Sequence, residues 1–267
     1  MFIENCQKNY AMGAHGCVDE ILVPFRFRVR FLIHMPKEPA KYGIKLLCLT
    51  DAHISYLYNV YIYTGKGSDG ATLTAAERKL QIPSQAVVRL TKCLYKTNRN
   101  ITCDNWFRSL EIAQELLKHG LIPPEFLPNK TRAVGTSLYC FTKELTQLPH
   151  VPKKSNVVTL LSSMHHSEFN DTSTGKSKII SFYNATIYVV DTLDMKCSNC
   201  STNRKTRSWP PAIFYYILAM CRSNASTPFM KKRLTIPNLP DKLRKLIQEA
   251  VGENKEKGAA LSVCDKK

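Results

Sequence analysis

The chain has 267 residues, enough to bury a sizeable core in one or two domains. Hydrophobic residues make 44% of it, which excludes a disordered composition. Its 38 basic against 21 acidic residues give a net charge of +17, which favours a polyanion partner, nucleic acid being the usual one.

In chain order, the pattern over residues 18–34 predicts one strand near Glu20–Val23 and a second near Arg28–Ile33. A regular second strand would put Arg26, Arg28 and Arg30 on one face, suited to a phosphate backbone or simply to solvent. Residues 44–50 form a short apolar run ending at Asp51. Residues 54–64 are β-branched and aromatic, a further strand, and Gly65, Gly67, Ser68 and Gly70 then make a loop. Residues 86–94 are ambiguous by period, although Val87, Leu90 and Leu94 fit a helical stripe. Residues 100–103 predict a short strand delivering Asp104. A helix follows from Trp106 to about His119, closed by Gly120 and by Pro123-Pro124. Strand-like stretches come near 137–141, 157–162 and 178–182, the last two joined by a turn-rich piece at 170–176. Asp191 and Asp194, at i and i+3, open a helix, and Trp209-Pro210-Pro211 starts a buried one. From about residue 224 the character changes, and residues 230–267 are rich in lysine. Residues 241–251 suit a short amphipathic helix, and the last dozen or so residues are expected to be disordered.

No apolar run reaches the roughly 20 residues needed to cross a bilayer, and no secretory leader is evident. The ten cysteines form no dense framework, so reduced thiols in an intracellular protein are expected. Cys197-Ser198-Asn199-Cys200 has no second ligand pair at zinc spacing and no βαβ context for redox work, and is read as two half-buried thiols. His165-His166 is read as loop surface.

Three segments carry aspartates in settings suited to metal-dependent DNA chemistry: Asp51 and Asp104 at strand exits, and the pair Asp191 and Asp194 on a helix turn. Three converging carboxylates can hold two divalent cations, which stabilise the attacking and leaving oxygens in phosphodiester chemistry. A lone aspartate after a strand is more often a turn residue or cap, so the flanking words decide. These words are Cys17-Val18-Asp19-Glu20-Ile21, Lys41-Tyr42-Gly43-Ile44-Lys45, Tyr61-Ile62-Tyr63-Thr64-Gly65, Cys103-Asp104-Asn105-Trp106-Phe107, Leu160-Leu161-Ser162-Ser163, Asp191-Thr192-Leu193-Asp194 and Arg207-Ser208-Trp209-Pro210. In this order, over residues 1–225, they resemble the transposases of piggyBac elements and their domesticated relatives.

The resemblance implies an α/β, RNase H-like fold: a mixed sheet flanked by helices, with a β-rich insertion at about 122–180. It implies a catalytic domain over 1–225, followed by a basic tail at 226–267. It further implies Mg²⁺ or Mn²⁺ held by Asp51, Asp104 and Asp191 with Asp194 beside them. Phosphate contacts would come from Arg26, Arg28, Arg30, Lys205 and Arg207. DNA would be the partner and the nucleus the compartment, with a homodimer left open. The chain departs from the family pattern in four ways. It begins almost at the catalytic domain. A strand with a Gly-Thr-x-Arg word looks deleted after the second aspartate's helix. Tyr188-Val189-Val190 stands where a Gly-Gly-Val word is usual, and Phe27 replaces a further glycine. A C-terminal cysteine-rich zinc module has no counterpart. The expectation is a transposon-derived protein with impaired catalysis and residual non-specific DNA binding. The alternative is an active metal-dependent transposase or nuclease performing strand cleavage and transfer.

Overall fold

A ten-residue strand, β1 (His15–Pro24), is the spine of the main sheet. The computed structural model describes residues 1–65, 67–107, 115, 139–141, 146–153, 156–165 and 177–234. One edge of β1 pairs antiparallel with β3 (Tyr42–Asp51), from Gly16↔Asp51 to Pro24↔Gly43. The other edge pairs in parallel with β5 (Asn100–Cys103), from His15↔Asn100 to Val18↔Cys103. The far edge of β3 takes β2 (Leu32–His34) and β4 (Leu57–Ile62), both antiparallel. A parallel pair needs a crossover, and this one includes the helix α2 (Ile82–Thr91). The mixed sheet flanked by helices is therefore present as expected.

The pleat of β1 sends Cys17, Ile21 and Val23 to one face and Val18 to the other. The first face joins Ile44, Leu46 and Cys48 under α4 (Val189–Asn199) and α5 (Trp209–Leu234), through Val190, Leu193 and Ile213. The second joins Leu47 and Leu49 and packs on Val87, Leu90 and Leu94 of the α2 region. Covering both faces explains why β3 is a nearly unbroken apolar run. A short N-terminal helix, α1 (Phe2–Lys8), sets Cys6 against Ile54 and Tyr56. Between Asp104 and Asp191 lies a second, antiparallel sheet of β6 (Cys140–Phe141), β7 (Thr146–Lys153) and β8 (Asn156–Ser162). Its Leu148 and Leu160 meet Ile179 and Ile180 of a further helix, α3 (Lys178–Ile187).

Two local expectations are corrected. Residues 178–182 are the start of α3, not a strand. Ser177 caps that helix, its side chain accepting from the Ile179 N–H at 3.2 Å, and Ile179, Ile180, Tyr183 and Ile187 recur at helical spacing toward the core. Of the strand expected over residues 28–33, only Leu32–His34 forms. A turn closed by Leu32 N–H to the Val29 carbonyl precedes it, so Arg26, Arg28 and Arg30 lie outside any strand and share no face by strand period. Strand β7 contains Pro149 and Pro152, and its pairing with β8 shifts between His150 and Lys153. Of the helix expected after Asp104, the described residues are a 3-10 turn over Asn105–Phe107 and Glu115, which is α-helical as expected. The rest of it, the 170–176 turn and the expected tail helix lie outside the described residues.

The loop entering α2 carries a reciprocal cap. The Glu77 carboxylate accepts from Thr74 N–H at 2.6 Å and from Lys92 Nζ at 3.0 Å, and Thr74 Oγ1 accepts from Glu77 N–H at 3.3 Å. Burial pushes this carboxyl up, but the Thr74 amide and the Lys92 ammonium outweigh that and hold it below its ordinary value of 4.5. Its stabilising contribution is therefore present above about pH 4.5 and lost as pH falls through the lower folded value. Glu77→Ala should cost about 1–2 kcal/mol in urea melts at neutral pH, and the difference from the wild type should shrink in acid.

Candidate functional site

Asp19 sits in the middle of β1, on the face it shares with Cys17 and Ile21. That face looks toward the α3–α4 junction, where Cys17 Sγ lies 3.5 Å from the Ile187 carbonyl. The parallel register sets Thr102 beside Cys17 and Cys103 beside Val18, so Asp104, one residue beyond β5, comes level with Asp19. Thr102 faces α3, its hydroxyl 2.9 Å from that of Thr186, and the pleat turns Asp104 the same way. Asp191 is in the first turn of α4, which packs over β1 and β3. Three carboxylates from distant segments thus meet at one level on one face of the sheet.

Electrostatics report the same proximity. Burial raises the Asp19 carboxyl well above its ordinary value, and the charges of Asp104, Glu20 and Asp191 raise it further against one opposing backbone N–H. Burial and then the charges of Asp19, Cys103, Asp191 and Asp104 also raise the Cys17 thiol. Carboxylates held together without a counter-charge resist ionising together, which is how cation sites store their affinity. Three carboxylates are also the right donor chemistry for a hard divalent cation. Among the described residues, no three His, Cys, Asp or Glu side chains already stand at the spacing of one ion's ligand set. Mg²⁺ commonly takes one or two carboxylates and fills its octahedron with water and substrate phosphate, and this donor set fits that mode.

Asp51, the first aspartate expected in the site, is elsewhere. It pairs with Gly16, three residues below Asp19, roughly 10 Å along the strand. Its parity with Leu47 and Leu49 puts it on the opposite face. It is 1% exposed, and its oxygens are occupied. Oδ2 accepts from the Tyr10 hydroxyl at 2.9 Å and the Gly13 N–H at 2.6 Å, and Oδ1 from the His53 N–H at 2.8 Å. Its own backbone pairs with Tyr56 and Ser55, and Ser55 has φ +55°. Asp51 holds the β3–β4 turn against the segment entering β1. The fold brings Asp104 and Asp191 together with Asp19 rather than with Asp51.

Asp194 lies one turn after Asp191 and accepts from the Tyr216 hydroxyl of α5. Burial raises its carboxyl, and that hydrogen bond partly offsets the shift. It ties α4 to α5 and so fixes the turn bearing Asp191. Of the C-x-x-C pair, Cys197 is buried, its thiol pushed up to about 12 chiefly by burial, and Cys200 is exposed. After Asp104 the chain is anchored by Phe107, fully buried, and by Trp106, over whose ring Lys45 Nζ lies at 4.2 Å. Lys45 also pairs with Glu20 at 3.2 Å.

Of the five expected phosphate contacts, three converge. Arg26, Lys205 and Arg207 line one open cleft, together with Arg204, at the far end of β1. Arg28 and Arg30 are exposed and do not line it. The α4–α5 loop supplies the other cleft wall, shaped by Thr206, whose hydroxyl donates to the Ser208 carbonyl at 3.2 Å. Among the described residues no helix is long and apolar enough to cross a membrane.

Comparison with known proteins sets this geometry in context. A family model described as Transposase IS4 matches residues 1–226. Among solved structures, the chain is similar to piggyBac transposase as seen by cryo-EM in a synaptic complex with hairpin DNA. The identity is 33% and the TM-score 0.74, over 92% of this chain and 59% of that one. The chain therefore spans about three fifths of the length of that transposase. The likeness bears out the expected RNase H-like core.

Proposed function

The chain belongs to the piggyBac-type transposase family, and on that premise we propose that it is a cation-binding, DNA-binding transposase core whose strand cleavage is impaired. What carries this reading is the convergence of Asp19, Asp104 and Asp191 on one sheet face. Asp19, Asp104 and Asp191 would hold Mg²⁺ or Mn²⁺, and such an ion, when bound, stabilises charge on the oxygens of a phosphodiester. Asp194 is a positioning residue, acting through the α4–α5 bond to Tyr216. Arg26, Lys205 and Arg207 take backbone phosphates, and Arg28 and Arg30 add to the field that draws DNA in.

Impairment is supported by what stands next to the third carboxylate. Val189 is buried and Tyr188 packs against the same core, where the family pattern has two glycines. Side chains there fill the space between the start of α4 and the sheet, and small misplacements of ligands can cost ~10²-fold in rate.

Duplex DNA should bind weakly and without sequence preference. Log affinity should fall linearly with log salt, with a slope near 0.9 per phosphate neutralised. Fluorescence anisotropy over a salt series checks this, and no binding at low salt would remove the DNA reading. A Mg²⁺-dependent nicking assay with Asp104→Ala as control separates the impaired from the active protein. Fast cleavage abolished by that substitution would make it a working nuclease or transposase.

A further inference from the structure

The cleft at the end of β1 contains more than charge. Two of the seven exposed large apolar side chains of the described residues, Phe27 at 45% and Tyr42 at 43%, line it together with its basic residues. Phe27 is held edge-on by Phe25, with ring centroids 5.9 Å apart, which fixes its orientation while leaving the ring accessible. Tyr42 is stacked on His34 at 4.4 Å and 18°, so a second flat surface stands on the same wall. Arg26, Arg204, Lys205 and Arg207 have no carboxylate partner among the described residues. Exposed rings normally migrate to a core or a partner, and solvent alone does not explain two of them among four unpaired cations.

We propose that this cleft binds an unpaired nucleic-acid strand, with bases stacked on Phe27 and Tyr42 and phosphates held by the surrounding arginines and lysine. The inference rests on the DNA reading above and names the form of DNA that the cleft selects. A duplex offers phosphates to the cations but keeps its base faces inside the helix. An unpaired strand offers both, and every base has a face to stack, so the site is indifferent to sequence. Asp19 lies five residues from Pro24 along β1, so the cleft begins roughly 15 Å from the carboxylates. A strand leaving the carboxylates along β1 would enter it.

The test is anisotropy with a labelled oligothymidylate and with a mixed-sequence duplex of the same length, at matched salt. The wild type should prefer the single strand. Phe27→Ala should weaken single-strand binding about 10-fold and lower the single-strand to duplex ratio, whereas Phe27→Trp should restore it. Arg207→Ala should weaken both and reduce the salt slope by about one. A wild type that prefers the duplex, or a Phe27→Ala protein with an unchanged ratio, overturns this inference and leaves the DNA reading standing. Binding to neither probe overturns both. Phe27 is an exposed loop residue, so its substitutions leave the core intact, and a melting curve on each variant checks this.

Discussion

Asp19→Asn should raise the melting temperature of the cation-free protein and abolish its response to Mn²⁺. Asp19 is crowded by burial and by Asp104, Glu20 and Asp191, which hold its carboxyl above the ordinary value of 3.8. The folded chain therefore binds that proton more tightly than the unfolded one. The stability so gained is fully present below about pH 3.8 and is lost as pH rises through the raised folded value. The neutral amide of asparagine removes that loss, so the variant should gain about 1 kcal/mol at pH 7, a rise of roughly 2–4 °C for a chain this size. The wild type should recover more when Mn²⁺ occupies the site, about 2.7 kcal/mol at a hundred times the dissociation constant. Thermal melts of both proteins with and without Mn²⁺ read all of this. A variant less stable than the wild type that still responds to Mn²⁺ would remove Asp19 from the site. Asp104→Asn and Asp191→Asn should likewise lose the Mn²⁺ response.

Asp51→Ala should have the opposite profile. Its carboxylate satisfies Tyr10, the Gly13 amide and the His53 amide, two of them at the joint between the β3–β4 turn and the segment entering β1. Truncation strands these donors in a place where Asp51 itself is 1% exposed. The cost should be about 3 kcal/mol, summed from lost charge-assisted bonds and partial relaxation. Urea unfolding should show the loss, with Asp51→Asn intermediate. The folded fraction should keep the Mn²⁺ response, because Asp51 faces away from the other carboxylates. Unchanged stability with a lost response would reinstate Asp51 as a ligand.

These two residues also show how far the sequence could be read. Both aspartates are in plain view, and flanking words drew attention to the wrong one. An aspartate at the exit of an apolar run is where turns and caps put it, and Asp51 does that work. An aspartate inside an apolar strand, as in Cys17-Val18-Asp19-Glu20-Ile21-Leu22-Val23, is costly unless the site uses it, and that cost was the available signal for Asp19. Strand β5 and the start of α4 were legible because their signals are local, β-branching and an acidic first turn, whereas α2 carries a helical stripe within a run that is ambiguous by period. Helix α3 was not, since Lys178-Ile179-Ile180 reads as well extended as helical. Its choice is made by Ser177 and by Leu148 and Leu160 across the second sheet. Cleft residues Phe27 and Tyr42 meet only through the pairing of β1 with β3, which no single segment announces.

The placement of β1 has a consequence for the order of events during synthesis. Among the described strands it comes first in chain order, yet it lies inside the sheet, between β3 and β5. Its antiparallel neighbour β3 follows soon, but β5 comes much later, and Cys17 waits for Ile187, 170 positions on. A nascent chain can close the β1–β3–β4 meander early and must hold an open strand edge until β5 arrives. Asp19 spends that interval with no neighbouring acid from β5 or α4, and its proton affinity rises only when the last elements dock. Any product ending before α4 would therefore carry the sheet and Asp19 without Asp191 beside it.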